Sequence, residues 1–152
     1  MPLPAECLRA SAALLAAHIA VSNAIETEAI SCTVKDPTIV DLLVRLDLAP
    51  DKRLRAVDLC DQLLKSPSHI SRLLDRAEEA GLVRREADPE DRRASQVVLE
   101  KSGSAVVEEF APRLLAVLGR TFFDALDEEE TDTLVSLLNR VEQAARSAPP
   151  PD

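Results

Sequence analysis

Residues 66–81 read Ser-Pro-Ser-His-Ile-Ser-Arg-Leu-Leu-Asp-Arg-Ala-Glu-Glu-Ala-Gly, and the rest of the chain is interpreted around them. Ser66 is placed to cap a helix, and Pro67 suits the first helical position, where a missing N–H costs nothing. Ile70, Leu73, Leu74 and Ala77 recur at i, i+3, i+4 and i+7, which puts one apolar face on that helix. Ser68, Ser71, Arg72, Asp75 and Arg76 fall off this face. Gly81 tolerates the positive φ that ends a helix. Upstream, Arg55 to Leu64 predicts a shorter helix with Ala56, Val57, Cys60, Leu63 and Leu64 on one side. Two short amphipathic helices joined by a tight polar turn form a helix-turn-helix. Downstream, residues 82–86 and 95–99 predict two short strands around a polar loop, residues 87–94, with Arg92 and Arg93 near its tip. Two helices followed by a hairpin with a basic tip describe a winged helix-turn-helix.

Outward from this unit the chain is helical. Residues 5 to about 31 carry Leu8, Ala12, Leu15, Ile19 and Ala20 at helical spacing. Asp36 or Thr38 is placed to cap a second helix reaching about Leu48, with Ile39, Leu42, Leu43 and Leu46 as its stripe. Residues 100–103 close the hairpin and open a long helix through Val106, Val107, Phe110, Leu114 and Leu118, inside which Pro112 demands a kink or local adjustment. Asp127 caps the last helix, and Glu130 stands in the reciprocal capping-box position. The predicted fold class is mostly α with a small β-hairpin wing and about six helices. The 152 residues read as a single domain: a winged region over residues 36–100, outer helices over 5–33 and 102–146, and a flexible tail over 147–152. The outer helices have apolar stripes but little monomer core to cover, so they are expected to pack against a second copy as dimerisation helices.

Composition narrows the function classes. There are three Phe and no Tyr or Trp, so the core is aliphatic, and stacking recognition of single-stranded nucleic acid is disfavoured. Net charge is −9, but residues 51–99 hold ten basic and ten acidic side chains. The excess acid lies outside the proposed reading unit, although it still weakens non-specific DNA binding. Three widely spaced cysteines (Cys7, Cys32, Cys60), with no CxxC, give neither a zinc site nor a disulfide framework, and suit a reducing cytoplasm. The apolar run Ala10 to Val21 lacks a basic lead, follows Glu6 and contains His18. It is expected to be a buried helix of a soluble protein rather than a signal or a membrane span. No nucleophile elbow, phosphate-binding glycine loop or metal-ligand pair is present, and Glu128 to Glu130 belong to a helix start. No catalytic residue, cofactor or metal is expected, and the chain is not expected to be an enzyme.

The runs 63–76, 79–85 and 88–93, taken together, resemble the MarR family of dimeric bacterial transcription regulators. The resemblance implies an intertwined two-fold dimer formed by the terminal helices. Such a dimer presents two recognition helices roughly 34–36 Å apart to double-stranded DNA, on a near-palindromic operator. Ser66, Ser68, His69 and Ser71 would approach bases or phosphates, Arg72 would read a guanine edge and Arg76 a phosphate. In the wing the resemblance implies that Asp91 braces Arg93 for the minor groove, with Arg92 on phosphate; Glu90 departs from the family pattern. Lys52, Arg53, Arg55 and Lys65 are lesser backbone candidates. The resemblance further implies a repressor released by a small lipophilic or phenolic effector. Two alternatives are a winged-helix protein-interaction module without DNA binding and a redox-responsive regulator using Cys7 or Cys32. Family sensors support their thiolate with tyrosines, which this chain lacks.

Overall fold

The computed structural model describes residues 4–88 and 95–147. Its helices are α1 (Ala5–Ile30), α2 (Pro37–Leu48), α3 (Ala56–Leu63), α4 (Pro67–Glu79), α5 (Lys101–Leu118) and α6 (Glu128–Ser147). Its strands are β1 (Arg53–Arg55), β2 (Val83–Ala87) and β3 (Ser95–Leu99). The chain divides into two compact units, Met1–Leu114 and Leu115–Asp152.

In the first unit α2 is the spine. Asp36 caps it by accepting from Thr38 N and Ile39 N, and Pro37 opens it. Its residues Leu42, Leu43 and Leu46 are fully buried against α3, α4 and the sheet. Each such leucine stabilises the fold by about 2 kcal/mol relative to exposure. From α3 come Leu59 and Leu63, and from α4 come Ile70, Leu73, Leu74 and Ala77. The α3 face is rotated from the expected one. Leu59 and Leu63 point inward, while Val57 and Leu64 are 61% and 81% exposed. Leu59 and Leu63 stand i, i+4 and so define the inner face, which leaves Val57 outside it, while Leu64 lies beyond the helix, in the left-handed region at φ 52°.

The sheet has the order β1-β3-β2, all antiparallel. Val83 faces Leu99 and Ala87 faces Ser95, so β2 and β3 form the expected hairpin stem, with the first strand moved one residue along. β1 is an addition. Its three residues Arg-Leu-Arg are too few to show alternation, and pairing with β3 is what makes them a strand. Gly103 opens α5 beneath this sheet, where a Cβ would overlap the Leu82 carbonyl oxygen and crowd Leu99.

The outer helices carry exposed apolar residues in the single chain, as stripes with little monomer core to cover would. In α1 only Ala29 is buried, and Leu8, Leu14, Leu15 and Ile19 are 51%, 39%, 60% and 57% exposed. The expected buried helix is therefore open along most of its length. The C-terminal end of α1 alone is tied down, with Thr33 N donating to the Glu109 carboxylate on α5 and Arg113 3.7 Å from Glu28. By length and apolarity α1 is also sufficient to cross a bilayer, with an 18-residue window of mean hydropathy 1.4. Pro112 is taken into α5 without ending it. The departure comes later, in a π turn at Gly119–Phe123, where Asp124 N donates to Gly119 O.

In the second unit α6 starts with the expected capping box: Glu130 N donates to Asp127 Oδ1 at 2.8 Å, and Asp127 N donates to Glu130 Oε2 at 3.0 Å. None of its residues is buried, and Val135, Leu137, Leu138 and Val141 are exposed.

Candidate nucleic-acid interface

The exposed face of α4 is built as its sequence predicts. Ser66 sits in extended backbone and its Oγ accepts from His69 N at 3.3 Å, while Pro67 fills the first turn. Ser68 Oγ lies 3.2 Å from Ser66 Oγ. The C-terminus closes on Ala80 and on Gly81 at φ +68°. Between these caps the four apolar residues anchor the inner side. Ser66, Ser68, His69, Ser71, Arg72 and Arg76 are all brought together on the outer side, exposed.

The arginines around this helix are not equivalent. Arg76 Nη1 donates to Asp36 Oδ2 at 2.7 Å, tying the last turn of α4 to the start of α2. Arg85, on β2, reaches back to α4 with four bonds. Its Nη1 meets Glu78 Oε2 at 2.9 Å, its Nη2 meets Asp75 Oδ1 at 2.7 Å and the Ser71 carbonyl at 3.1 Å, and its backbone N–H meets Glu78 Oε1 at 2.9 Å. Charge-assisted bonds of this kind are among the stronger ones available to a side chain. Arg85 neutralises the two carboxylates on the wing side of α4 and couples wing stem to helix. Among the described residues Arg72 makes no ion pair, so its whole guanidinium is open to an outside acceptor.

The wing stem has its own anchor. Asp88 is 1% exposed and its Oδ2 accepts from Arg55 Nε at 2.7 Å and from Gln96 Nε2 at 3.3 Å. A buried carboxylate needs such partners, because an unpaired one would carry a large desolvation cost. Arg55 is thus structural here, and two other lesser candidates also face carboxylates. Lys52 Nζ is 2.7 Å from Asp47, and Arg53 is 3.8 Å from Glu86. Arg84 bonds Glu100 and Glu86, which hold it more firmly protonated than a free arginine. Asp91, Arg92 and Arg93 lie outside the described residues.

Asp36, Arg85 and Asp88 escaped sequence reasoning as functional supports. A partial signal existed for Arg85, since Asp75 and Glu78 stand i, i+3 on α4 just before a strand carrying an arginine. For Asp36 and Arg76, forty residues apart, no local pattern exists.

The MarR family model matches residues 37–94. An HTH-type transcriptional regulator of Bacillus cereus is 29% identical over 106 residues, 70% of each chain. Among solved structures, AbsC, a MarR family transcriptional regulator from Streptomyces coelicolor, superposes with a TM-score of 0.84 at 26% identity, covering 97% of this chain and 99% of its own. A second MarR family transcriptional regulator of that organism, solved in complex with DNA, gives 0.82 at 25% identity, covering 95% and 90%. Residues 37–94 answer to the MarR family model and the backbone follows these regulators nearly end to end, so the chain is similar to MarR family transcriptional regulators in its winged helix-turn-helix and in its wider fold.

Proposed function

We propose that this protein is a homodimer that binds a near-palindromic duplex operator and represses transcription from it in the cytoplasm. Ser66, Ser68, His69, Ser71 and Arg72 of α4 enter the major groove, and Asp91, Arg92 and Arg93 serve the wing. The observation that carries this reading is Arg72. It stands on the exposed face of a capped helix without an ion pair among the described residues, while Arg76 and Arg85 beside it are paired. A guanidinium left open on a rigid helix is suited to the O6/N7 edge of guanine. The DNA complex of the Streptomyces relative supports the same use of the fold.

Dimerisation is supported by the exposed apolar residues of α1 and α6, which monomeric proteins rarely present in such runs. A second copy covering them also accounts for the apolarity of α1 without a membrane. The residues 5–33 and 102–146 are then the dimerisation segments, and residues 36–100 the DNA-binding region. A small lipophilic effector would bind between the two and release the operator, as family resemblance suggests. A thiol switch is disfavoured at Cys32, whose pKa is raised by burial and by Glu109 and Glu28 against a smaller opposing effect of Arg113.

The test is a titration of the protein onto duplexes selected from a random library, at several salt concentrations. A specific complex that weakens steeply with salt is expected. Loss of all duplex affinity at low salt, with the dimer retained, would select the protein-interaction reading instead. A thermal-shift screen of small lipophilic acids tests the effector; uniformly flat shifts count against it.

A further inference from the structure

We infer that Arg76 acts as a positioning residue for DNA recognition, held by Asp36, rather than as a phosphate contact; this rests on the proposed DNA-binding reading of α4. Asp36 uses both of its carboxylate oxygens. One of its oxygens, Oδ1, accepts from Thr38 N at 3.0 Å and from Ile39 N at 3.3 Å and so caps α2. The other, Oδ2, accepts from Arg76 Nη1 at 2.7 Å. A single carboxylate thus ends one helix and holds another. Its orientation is set by two backbone N–H groups whether or not Arg76 is present. The ion pair then orders only one flexible side chain instead of two, which removes part of the entropic cost that makes most surface pairs weak.

The helix it anchors to is the most firmly buried one in the unit, through Leu42, Leu43 and Leu46. Arg76 stands in the last turn of α4, one turn beyond Arg72 and at the end opposite Ser66. Arg85 grips the same half of α4 from the wing stem, through Asp75 and Glu78. Two clamps on the C-terminal half therefore set the angle at which the N-terminal half is presented. Nη1 is committed to Asp36, so a phosphate could use only the remaining Nε and Nη2 donors, on a guanidinium already held at the start of α2.

The two roles predict opposite signs for one substitution. Asp36→Asn keeps a carbonyl oxygen for the cap and removes the charge. If Arg76 is a brace, Asp36→Asn weakens binding to the selected duplex by about two- to fivefold, the range such pairs command. Arg76→Gln does the same, the double variant is no weaker than either single, and Arg76→Lys recovers most of the loss. The slope of log affinity against log salt stays at the wild-type value. If Arg76 instead contacts phosphate, Asp36→Asn tightens binding, and Arg76→Gln flattens the salt slope by about 1. That pattern overturns the inference. If the wild-type chain selects no duplex, the DNA reading fails on its own, and urea melts of the four chains still decide the brace. Non-additive losses for Asp36→Asn and Arg76→Gln support it, and additive losses overturn it.

Discussion

Leu64 occupies a backbone position that favours glycine. It ends α3 at φ 52°, ψ 42°, with its side chain 81% exposed, so it carries left-handed strain without a burial gain. Leu64→Gly is expected to stabilise the chain by about 1 kcal/mol in urea melts, because the strain relieved exceeds the extra freedom given to the unfolded chain. Gly103 is the reverse case. A methyl there meets the Leu82 carbonyl oxygen, which is backbone and cannot swing aside. Gly103→Ala should cost about 1–3 kcal/mol by the same measurement, as overpacking does. The cysteines separate by environment. Cys7 is exposed and should react quickly with a thiol reagent. Cys32 is buried, and its raised pKa keeps it a thiol through neutral pH, so its modification should track unfolding. The sign follows from linkage: a raised folded pKa means Cys32 stabilises the fold fully below the free-thiol pKa. That contribution fades as pH climbs from there through the folded value, which places the loss in the alkaline range.

The unit that reads DNA in this proposal is a pair of elements, α4 and the β2–β3 stem, and Arg85 joins them. Arg85→Ala removes every side-chain bond between stem and helix made by that residue and leaves Asp75 and Glu78 uncompensated beside the groove. It should weaken operator binding across all sequences while the dimer persists in light scattering. Arg72→Ala should differ in kind. A lost guanine contact costs about 1–3 kcal/mol and relaxes preference at one base position of each half-site, readable by repeating the library selection with the variant. If the selected consensus is unchanged, Arg72 is not a base reader. The capping box of α6 is a simpler element. Asp127→Ala should lower the stability of that helix by about 1 kcal/mol, visible as earlier loss of helical signal on heating.

Over the whole molecule, two sets of exposed aliphatic side chains stand out, one on α1 and one on α6, in a chain whose net charge is −9. Burying them against a second copy joins two acidic bodies, and the hydrophobic gain must exceed that repulsion. Leu15→Glu adds a charge at the middle of the α1 set, and Leu138→Glu does so on α6. Each should shift the molecular mass in solution from two chains to one and lower operator affinity steeply, because two linked half-site contacts become one. High salt should favour dimerisation of the wild-type chain and oppose its DNA binding, an opposition that distinguishes the two interfaces.

The helix-turn-helix and its hairpin were legible from local rules, because each depends on neighbours in sequence. Ser66 and Pro67 start α4, Gly81 ends it, four apolar residues turn its inner face to the core, and Asp127 with Glu130 start α6. Local rules failed where a distant partner decides. β1 exists because β3 offers it an edge, and Leu59 rather than Val57 enters the core because α3 is docked against α2 and α4 on that side. The openness of α1 was legible only from how little core the single chain leaves for it; the apolar periodicity itself says that a face will be covered without saying by which chain. The roles of the arginines divide in the same way. Sequence determined which residues lie on the outer face of α4, through helical period alone. Only the tertiary structure decided that Arg76 and Arg85 spend their charge on Asp36, Asp75 and Glu78 while Arg72 makes no ion pair among the described residues, because ion pairing depends on distances between elements that no local spacing encodes.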